Sequence, residues 1–368
     1  MERTEPLPEG DSLEELAQRV DRLRSDFAEG KSSARKRAAA VDGPTAPDRN
    51  AQDLDFDHAR LVIAREHNAH SWEEAEKWFD LADQVKEAMD AITSGDSDRF
   101  AELLAEYPGL TEEVSHKGRP LIAEAAFSGS EVEEERFPGR LSIIKMLVDA
   151  GSDVNEGPDG ALMCAATWND VPATALLIES GALLDGVRDD KWILANALMF
   201  RKGDTAALLV ENGASTDLAM AAGVGRMDLV EAKFDVHGAL RAGETLFSGW
   251  WDGNPPSGLD LSETRFVLDF AFAVACAGHH FGIADFLLDR GAEVDGGARG
   301  FLDDDFSTVL HMAAFFGDEE LVDFLLARGA DPDLTDEIHQ ATACGHAEAG
   351  GHEALAARLR DASAHTNR

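Results

Sequence analysis

The chain has 368 residues, of which 44% are hydrophobic, 71 are acidic and 33 are basic, giving a formal net charge of −38. Such a field repels phosphate backbones and anionic lipid, which sets direct binding to DNA, RNA or a membrane aside. The length admits two or three globular domains or one long repeat array, and no stretch approaches the run of about 18 apolar residues that a membrane span needs.

The opening segment, Met1 to Gly30, is polar and acidic and lacks the apolar region of a secretory signal. Within it, 12–29 has the apolar spacing of an amphipathic helix, with Ser12 as N-cap and Glu15 three residues on. The stretch 30–53 holds Lys31, Arg35, Lys36 and Arg37, then Pro44 and Pro47, and reads as a polar linker. Helical spacing resumes over 54–84, where Ser71 and Glu74 form a second capping pattern beside His67 and His70.

From 85 onward one phrase recurs: IIKMLVDAGSDVN (143–155), ATALLIESGALLD (173–185), AALLVENGASTD (206–217), IADFLLDRGAEVD (283–295) and LVDFLLARGADPD (321–333). Each reads as a short helix with one apolar face, closed by Gly151, Gly181, Gly213, Gly291 or Gly329. An Asp or Asn follows a few positions later, a residue suited to a tight turn. The glycines are spaced 30, 32, 78 and 38 residues apart. A period near 33 marks stacked supersecondary units. Upstream of each phrase lies a second, Ala-rich helix: IAEAAFSG (122–129), LMCAATWN (162–169), LANALMFR (194–201), FAVACAGH (272–279) and LHMAAFFG (310–317). The units fall at 85–116, 118–157, 159–187, 189–217, a degenerate 218–235, 264–296, 303–334 and a capping 336–363. An insertion at 130–139 and a loop at 236–263 interrupt them.

This pattern resembles the ankyrin repeat. The best single match runs from Thr308 through Leu310, His311, Ala313 and Ala314 to Gly317. The other units keep the Ala pair and lose Leu-His, and with it hydrogen bonds that tie neighbouring repeats together in the family. The stretch 57–72 resembles the helical leader that precedes bacterial ankyrin arrays. The resemblance covers about 85 to 363. It implies an all-α, right-handed solenoid of about seven or eight helix-turn-helix units. The expected layout is a helical leader or cap over 1–84, the array over 85–363 and a disordered tail over 364–368.

No Walker loop, Gly-x-Ser-x-Gly or His-Glu-x-x-His pattern is present, so the chain reads as a binding protein and not an enzyme, with no cofactor and no metal. Cys164, Cys276 and Cys344 are odd in number and far apart, which fits buried thiols in a reducing cytoplasm. His339, Cys344, His346 and His352 are metal-capable and close in sequence, but His352 falls on the Gly-His position of the repeat and Cys344 where Leu packs. A metal or small-molecule site there, or under the 236–263 loop, is the enzymatic alternative. An acidic decoy that mimics nucleic acid is a second.

In ankyrin units the residues flanking the Ala pair face the concave side. Here they include Phe127, Trp168, Met199, Phe200, Met312, Phe315 and Phe316, unusually aromatic for a solvated face. These are the expected partner-binding residues, unless the loop carrying Trp250 and Trp251 folds over them. The expected occupant is a protein, drawn by the acidic rim if it is basic and held by a monomer in a bacterial cytoplasm. The same acidity also suits a host that uses surface carboxylates for solubility.

Overall fold

Apolar residues at helical spacing form helices, and short helices need neighbours to bury them. A computed structural model describes residues 13–40, 54–66, 71–113, 115, 119–127, 139–157, 160–186, 192–251, 258–297, 308–336 and 338–366. The Ser12 cap, Pro44, Pro47, His67, His70 and most of the 130–139 insertion lie outside them. Among the described residues nineteen α-helices form and no strand, only isolated bridges such as Phe234 with Leu240. The fold is all-α, as expected. The chain divides into two compact units, Met1–Gly157 and Pro158–Arg368. That break falls inside the expected array, so the leader shares a unit with the first helix pairs.

The first unit opens with α1 (Leu13–Ala28), α2 (Ser32–Ala40) and α3 (Phe56–Glu66), followed by the long α4 (Trp72–Ser94). Leu16, Val20, Leu23 and Phe27 recur along one face of α1 and enclose a core with Val62 and Ile63 of α3. The expected linker is in part a helix. Ala34 and Ala38, one turn apart on α2, are buried in this core, and alanine is the strongest helix former. A forked Arg37–Glu66 pair at 2.7 Å and a 3.2 Å bond between the His58 ring and the Ala38 carbonyl tie α2 to α3. The unit continues with α5 (Ser97–Glu106), a 3-10 turn at Pro108–Glu112, α6 (Leu121–Phe127) and α7 (Arg140–Asp149).

The second unit is a run of helix pairs: α8 (Ala161–Thr167) with α9 (Val171–Glu179), α10 (Trp192–Met199) with α11 (Gly203–Glu211), α12 (Leu218–Gly223) with α13 (Met227–Ala232). After the long loop come α14 (Thr264–Ala277) with α15 (Phe281–Leu288), α16 (Val309–Phe316) with α17 (Glu319–Leu326), and α18 (Ala343–Ala349) with α19 (Glu353–Thr366). Helix α19 carries the chain to Thr366, so the tail expected to be disordered from 364 is helical that far. Asp96, Asp170 and Asp318 cap α5, α9 and α17 by accepting the amide three residues on, each cap being worth about 1 kcal/mol.

The Asp that follows each helix-ending glycine does more than shape its turn. Asp185 accepts the Ser215 amide at 2.8 Å and its hydroxyl at 2.6 Å, and Asp295 accepts the Asp331 amide at 3.2 Å. Each carboxylate therefore staples one hairpin tip to the next. Gly213, at φ 98, is where the chain turns left-handed to bring such a tip round. Asp217 occupies the same place, but the unit after it diverges. Its partners are the amides of Met220 (2.7 Å) and Phe247 (2.9 Å) and the Trp250 indole (2.8 Å). Burial pushes the Asp217 carboxyl up, against those bonds and the charge of Lys233.

That clamp fixes the loop. Trp250 is 1% exposed and meets Phe270 edge-to-face at 5.2 Å, while Trp251 stacks on Phe266 at 6.4 Å. Phe266 and Phe270 lie in the first half of α14, whose 14 residues exceed the six to eight of the other first helices in this unit. The extra length supplies the rings on which the tryptophans pack. The 3-10 turn Ser248–Trp251 also lies against α10.

Histidines tie neighbouring pairs. The His311 ring bonds the Thr308 hydroxyl through Nδ1 (2.9 Å) and donates from Nε2 to the Leu334 carbonyl (3.0 Å), and burial holds it below the usual histidine range. His280 donates to the Gly223 carbonyl at 3.0 Å in the same manner between two other pairs. Asp336 accepts the His346 ring at 3.1 Å and the amides of Ile338 and Ala341, each at 2.8 Å. Burial opposes its charge, but these bonds win and hold the carboxyl well below the usual range.

Two outcomes follow. Replacing Asp217→Ala leaves two amides and an indole without their acceptor, so denaturant unfolding should show a loss of about 3 kcal/mol or more, well beyond the loss from Asp185→Ala at an open tip. Asp269 of α14 accepts the Glu293 amide at 2.7 Å and Arg265 at 3.2 Å, and burial pushes its carboxyl up to about 6 despite Arg265. A raised carboxyl binds its proton more tightly folded than unfolded. Its contribution to stability is therefore full below the unfolded value of about 4 and declines as pH rises to about 6. Urea unfolding at a series of pH values should show Asp269→Asn gaining on the parent by about 2–3 kcal/mol between about pH 4 and pH 7. A constant difference would show that Asp269 titrates normally.

Candidate functional site

The turn between the two helices of a pair needs one residue in the left-handed region. Gly95, Gly225, Gly317 and Gly351 fill it at φ 70 to 81. Three turns carry a side chain instead: Asn169 (φ 57), Arg201 (φ 56) and His279 (φ 56). A non-glycine residue there costs roughly 1 kcal/mol, so each side chain needs a compensating contact. Asn169 bonds the Asp204 carboxylate at 3.0 Å and accepts the Thr205 amide at 3.3 Å. His279 bonds Asp318 at 2.8 Å. Both are structural ties to the next pair.

Arg201 differs. Its guanidinium lies 5.1 Å from the centroid of the Phe316 ring, and Nη2 lies 3.7 Å from the Met312 sulfur. It forms no ion pair among the described residues, in a chain with more than twice as many acids as bases. Beside it in sequence, Phe200 is 56% exposed, and Phe316 is 52% exposed. Phe315 meets Phe316 edge-to-face at 5.3 Å and is half-buried. Thus Arg201, just past the end of α10, reaches the end of α16 and lies on one exposed ring, with the exposed Phe200 next to it in sequence.

Of the residues expected on the binding face, Met312, Phe315 and Phe316 come together with Arg201, whose sequence neighbour is Phe200. Met312 is 5% exposed, so it underlies the patch and does not form its surface. Met199 and Trp168, at or just past the ends of α10 and α8, are half-buried. Phe127 lies in the first unit, 39% exposed, with Arg119 4.3 Å over its ring. Arg201 itself was not among the expected residues. Its signal in the sequence is an arginine where the repeat calls for glycine, in LANALMFR against LHMAAFFG.

The members of the metal-capable string are engaged by other groups, although the His339 and His346 rings lie 6.2 Å apart. His346 bonds Asp336, the Cys344 sulfur lies 3.3 Å from the Ala356 carbonyl, and the His352 ring packs so close to Gly317 that a Cβ there would sit 2.4 Å from it. Among the described residues no three His, Cys, Asp or Glu side chains are grouped to hold a metal ion. A different feature lies on the outer helices. An open cleft of about 690 Å³ is lined by Asp285, Asp289, Glu293, Asp295 and Arg328, with Arg328 forked onto Asp285 and stacked 3.5 Å over Phe324.

A family model described as ankyrin repeats (3 copies) matches residues 260–336. Among solved structures, the human ASB11 ankyrin repeat domain is 22% identical, with 65% of this chain and 96% of that one covered and a TM-score of 0.33. The ankyrin repeat domain of Bcl-3, a member of the IkappaB family, is 17% identical, with 75% and 97% covered and a TM-score of 0.34. No curated protein sequence matches the chain. No helix among the described residues is long and apolar enough to cross a membrane. Ankyrin repeats are in general protein-interaction modules, and proteins built from them are typically binding scaffolds without catalytic activity. The matched segment, 260–336, contains α14 to α17 and is similar to ankyrin repeats, and its paired-helix form and Asp-stapled tips recur in the rest of the second unit.

Proposed function

We propose that the chain binds a partner protein, without catalysis, on a surface of the second unit that includes Phe200, Arg201, Phe315 and Phe316, with Met199 and Trp168 as further contacts; Phe127 is a separate candidate contact on the first unit. The observation that carries this reading is a guanidinium free of carboxylates among the described residues, resting on the exposed Phe316 ring, with a second ring more than half exposed, Phe200, next to it in sequence. Exposed aromatics and arginine are the residue types that dominate binding energy at protein interfaces. The flexible part of such a contact is already ordered, because Arg201 is held on Phe316 before any partner arrives.

Acidity acts at longer range. A net charge of −38 and the open acidic cleft beside Arg328 favour approach of a basic partner and disfavour nucleic acid or anionic lipid. The protein acts as a monomer in the cytoplasm of a bacterium. Its free cysteines, two of them buried, and the leader at 57–72 support that setting.

The discriminating substitution is Arg201→Gly. Glycine relieves the left-handed backbone, so stability measured by denaturant should hold or rise by up to about 1 kcal/mol. Partner capture from the native host should fall at the same time. Phe200→Ala and Phe316→Ala should each leave stability within about 1 kcal/mol and weaken binding by about 2 kcal/mol or more. Unchanged capture by all three variants would remove this surface from consideration. Capture that survives 0.5 M salt (a Debye length of roughly 4 Å) fits aromatic anchoring, whereas an acidic nucleic-acid mimic would lose its partner steeply.

A further inference from the structure

The leader helices hold a second cluster that the interaction surface does not use. Phe56, at the start of α3, is 40% exposed. Two guanidinium groups lie over its ring, Arg60 at 4.3 Å and Arg24 of α1 at 5.3 Å. Arg60 also lies 5.1 Å from the ring of Trp72, which opens α4. Contact between Phe56 and Arg60 is the ordinary meeting of residues one helical turn apart. The remaining features need another reason.

Arg60 makes no hydrogen bond or ion pair with any described residue, and its Nε is buried. The Trp72 indole nitrogen is buried beside it, also without an acceptor. Arg24 is anchored by Nε to the Leu54 carbonyl at 3.2 Å, and its terminal nitrogens have no acceptor among the described residues. Other arginines of this chain behave differently. Arg37 forks onto Glu66 at the end of the same helix α3. Arg290, stacked between Phe234 and Phe286, also has a buried Nε without an acceptor, but its Nη1 donates to the Phe286 carbonyl at 3.1 Å, whereas Arg60 makes no hydrogen bond with any described residue. A buried donor without an acceptor is strongly unfavourable, and two adjacent ones beside a second cation form a constellation with a missing oxygen.

We propose that this corner binds a small molecule through a single oxyanionic group, a carboxylate or a phosphate. Arg60 and the Trp72 indole supply the buried donors, and Arg24 closes on the group from across the Phe56 ring. A guanidinium presents parallel N–H groups that match either oxyanion, and the Phe56 and Trp72 rings give the body of the ligand apolar walls. The strongly negative chain repels a polyanion, so the occupant carries one such group on a compact body.

The test follows the indole N–H signals of the full-length, 15N-labelled chain, with that of Trp72 assigned by Trp72→Phe. Benzoate and inorganic phosphate are the probes, and sodium chloride at matched ionic strength is the control. A saturable shift of the Trp72 signal with either probe, absent with chloride, is the expected result, and the stronger probe identifies the oxyanion. Arg60→Gln should weaken that binding about tenfold or more. Arg24→Gln, at an exposed position, should weaken it by a smaller factor and serves if Arg60→Gln loses helix content by circular dichroism. No saturable shift with either probe, the same shift with chloride, or unchanged affinity in a folded arginine variant would each overturn the proposal.

Discussion

A six-residue helix such as α12 does not hold itself together in water, where isolated helices shorter than about 12–15 residues are marginal. Every residue of α12 is buried, so its neighbours must enclose it on all sides. On one side α14 does so closely. On the other, the chain departs from the regular stack, and the 3-10 turn bearing Trp250 fills in against α10. Asp217 sits at this junction, capping α12 through Met220 while gripping Trp250. One buried carboxylate thereby makes a six-residue helix and the long loop after α13 depend on each other.

Much of this could be read from the chain. The glycine-closed phrases placed the second helices, and the Ala-rich phrases placed the first, because a close-packed helix must be small along its length. The Asp four residues past Gly181, Gly213, Gly291 and Gly329 was visible but its role was not. A turn residue and an inter-repeat staple have the same sequence signature, and only the distance from Asp185 to Ser215 separates them. The polar stretch at 30–53 misled because charge dominates its composition, while two alanines one turn apart were sufficient to dock α2. The fate of Trp250 and Trp251 was open for a similar reason. Their burial depends on Phe266 and Phe270, which lie on a helix extended beyond the repeat length.

Acidic composition shapes the use of arginine. Carboxylates are plentiful enough that most cations find one, as Arg328 finds Asp285 and Arg358 finds Glu319. Several arginines nonetheless rest on rings, where the stem covers apolar surface and the guanidinium meets the ring face. Where a carbonyl or carboxylate completes the set, the contact is structural. Where it does not, as at Arg60 and Arg201, the cation keeps hydrogen-bonding capacity available to something outside the chain.

Position strengthens this distinction at Arg201. Packing alone does not require arginine at φ 56, since glycine meets the same turn at Gly225 and Gly317 with no strain. Asn169 and His279 occupy equivalent turns and offset that strain with hydrogen bonds to the neighbouring pair. Arg201 reaches past its neighbour to α16, and its contacts are an exposed ring and a sulfur, which are weak compensation for an unfavourable backbone. What the residue does achieve is to bring a cation, next in sequence to the exposed Phe200, onto the exposed Phe316 ring. On the proposed reading that strain is accepted to present the patch to a partner protein, and the ordered cation lowers the entropy lost when the contact forms.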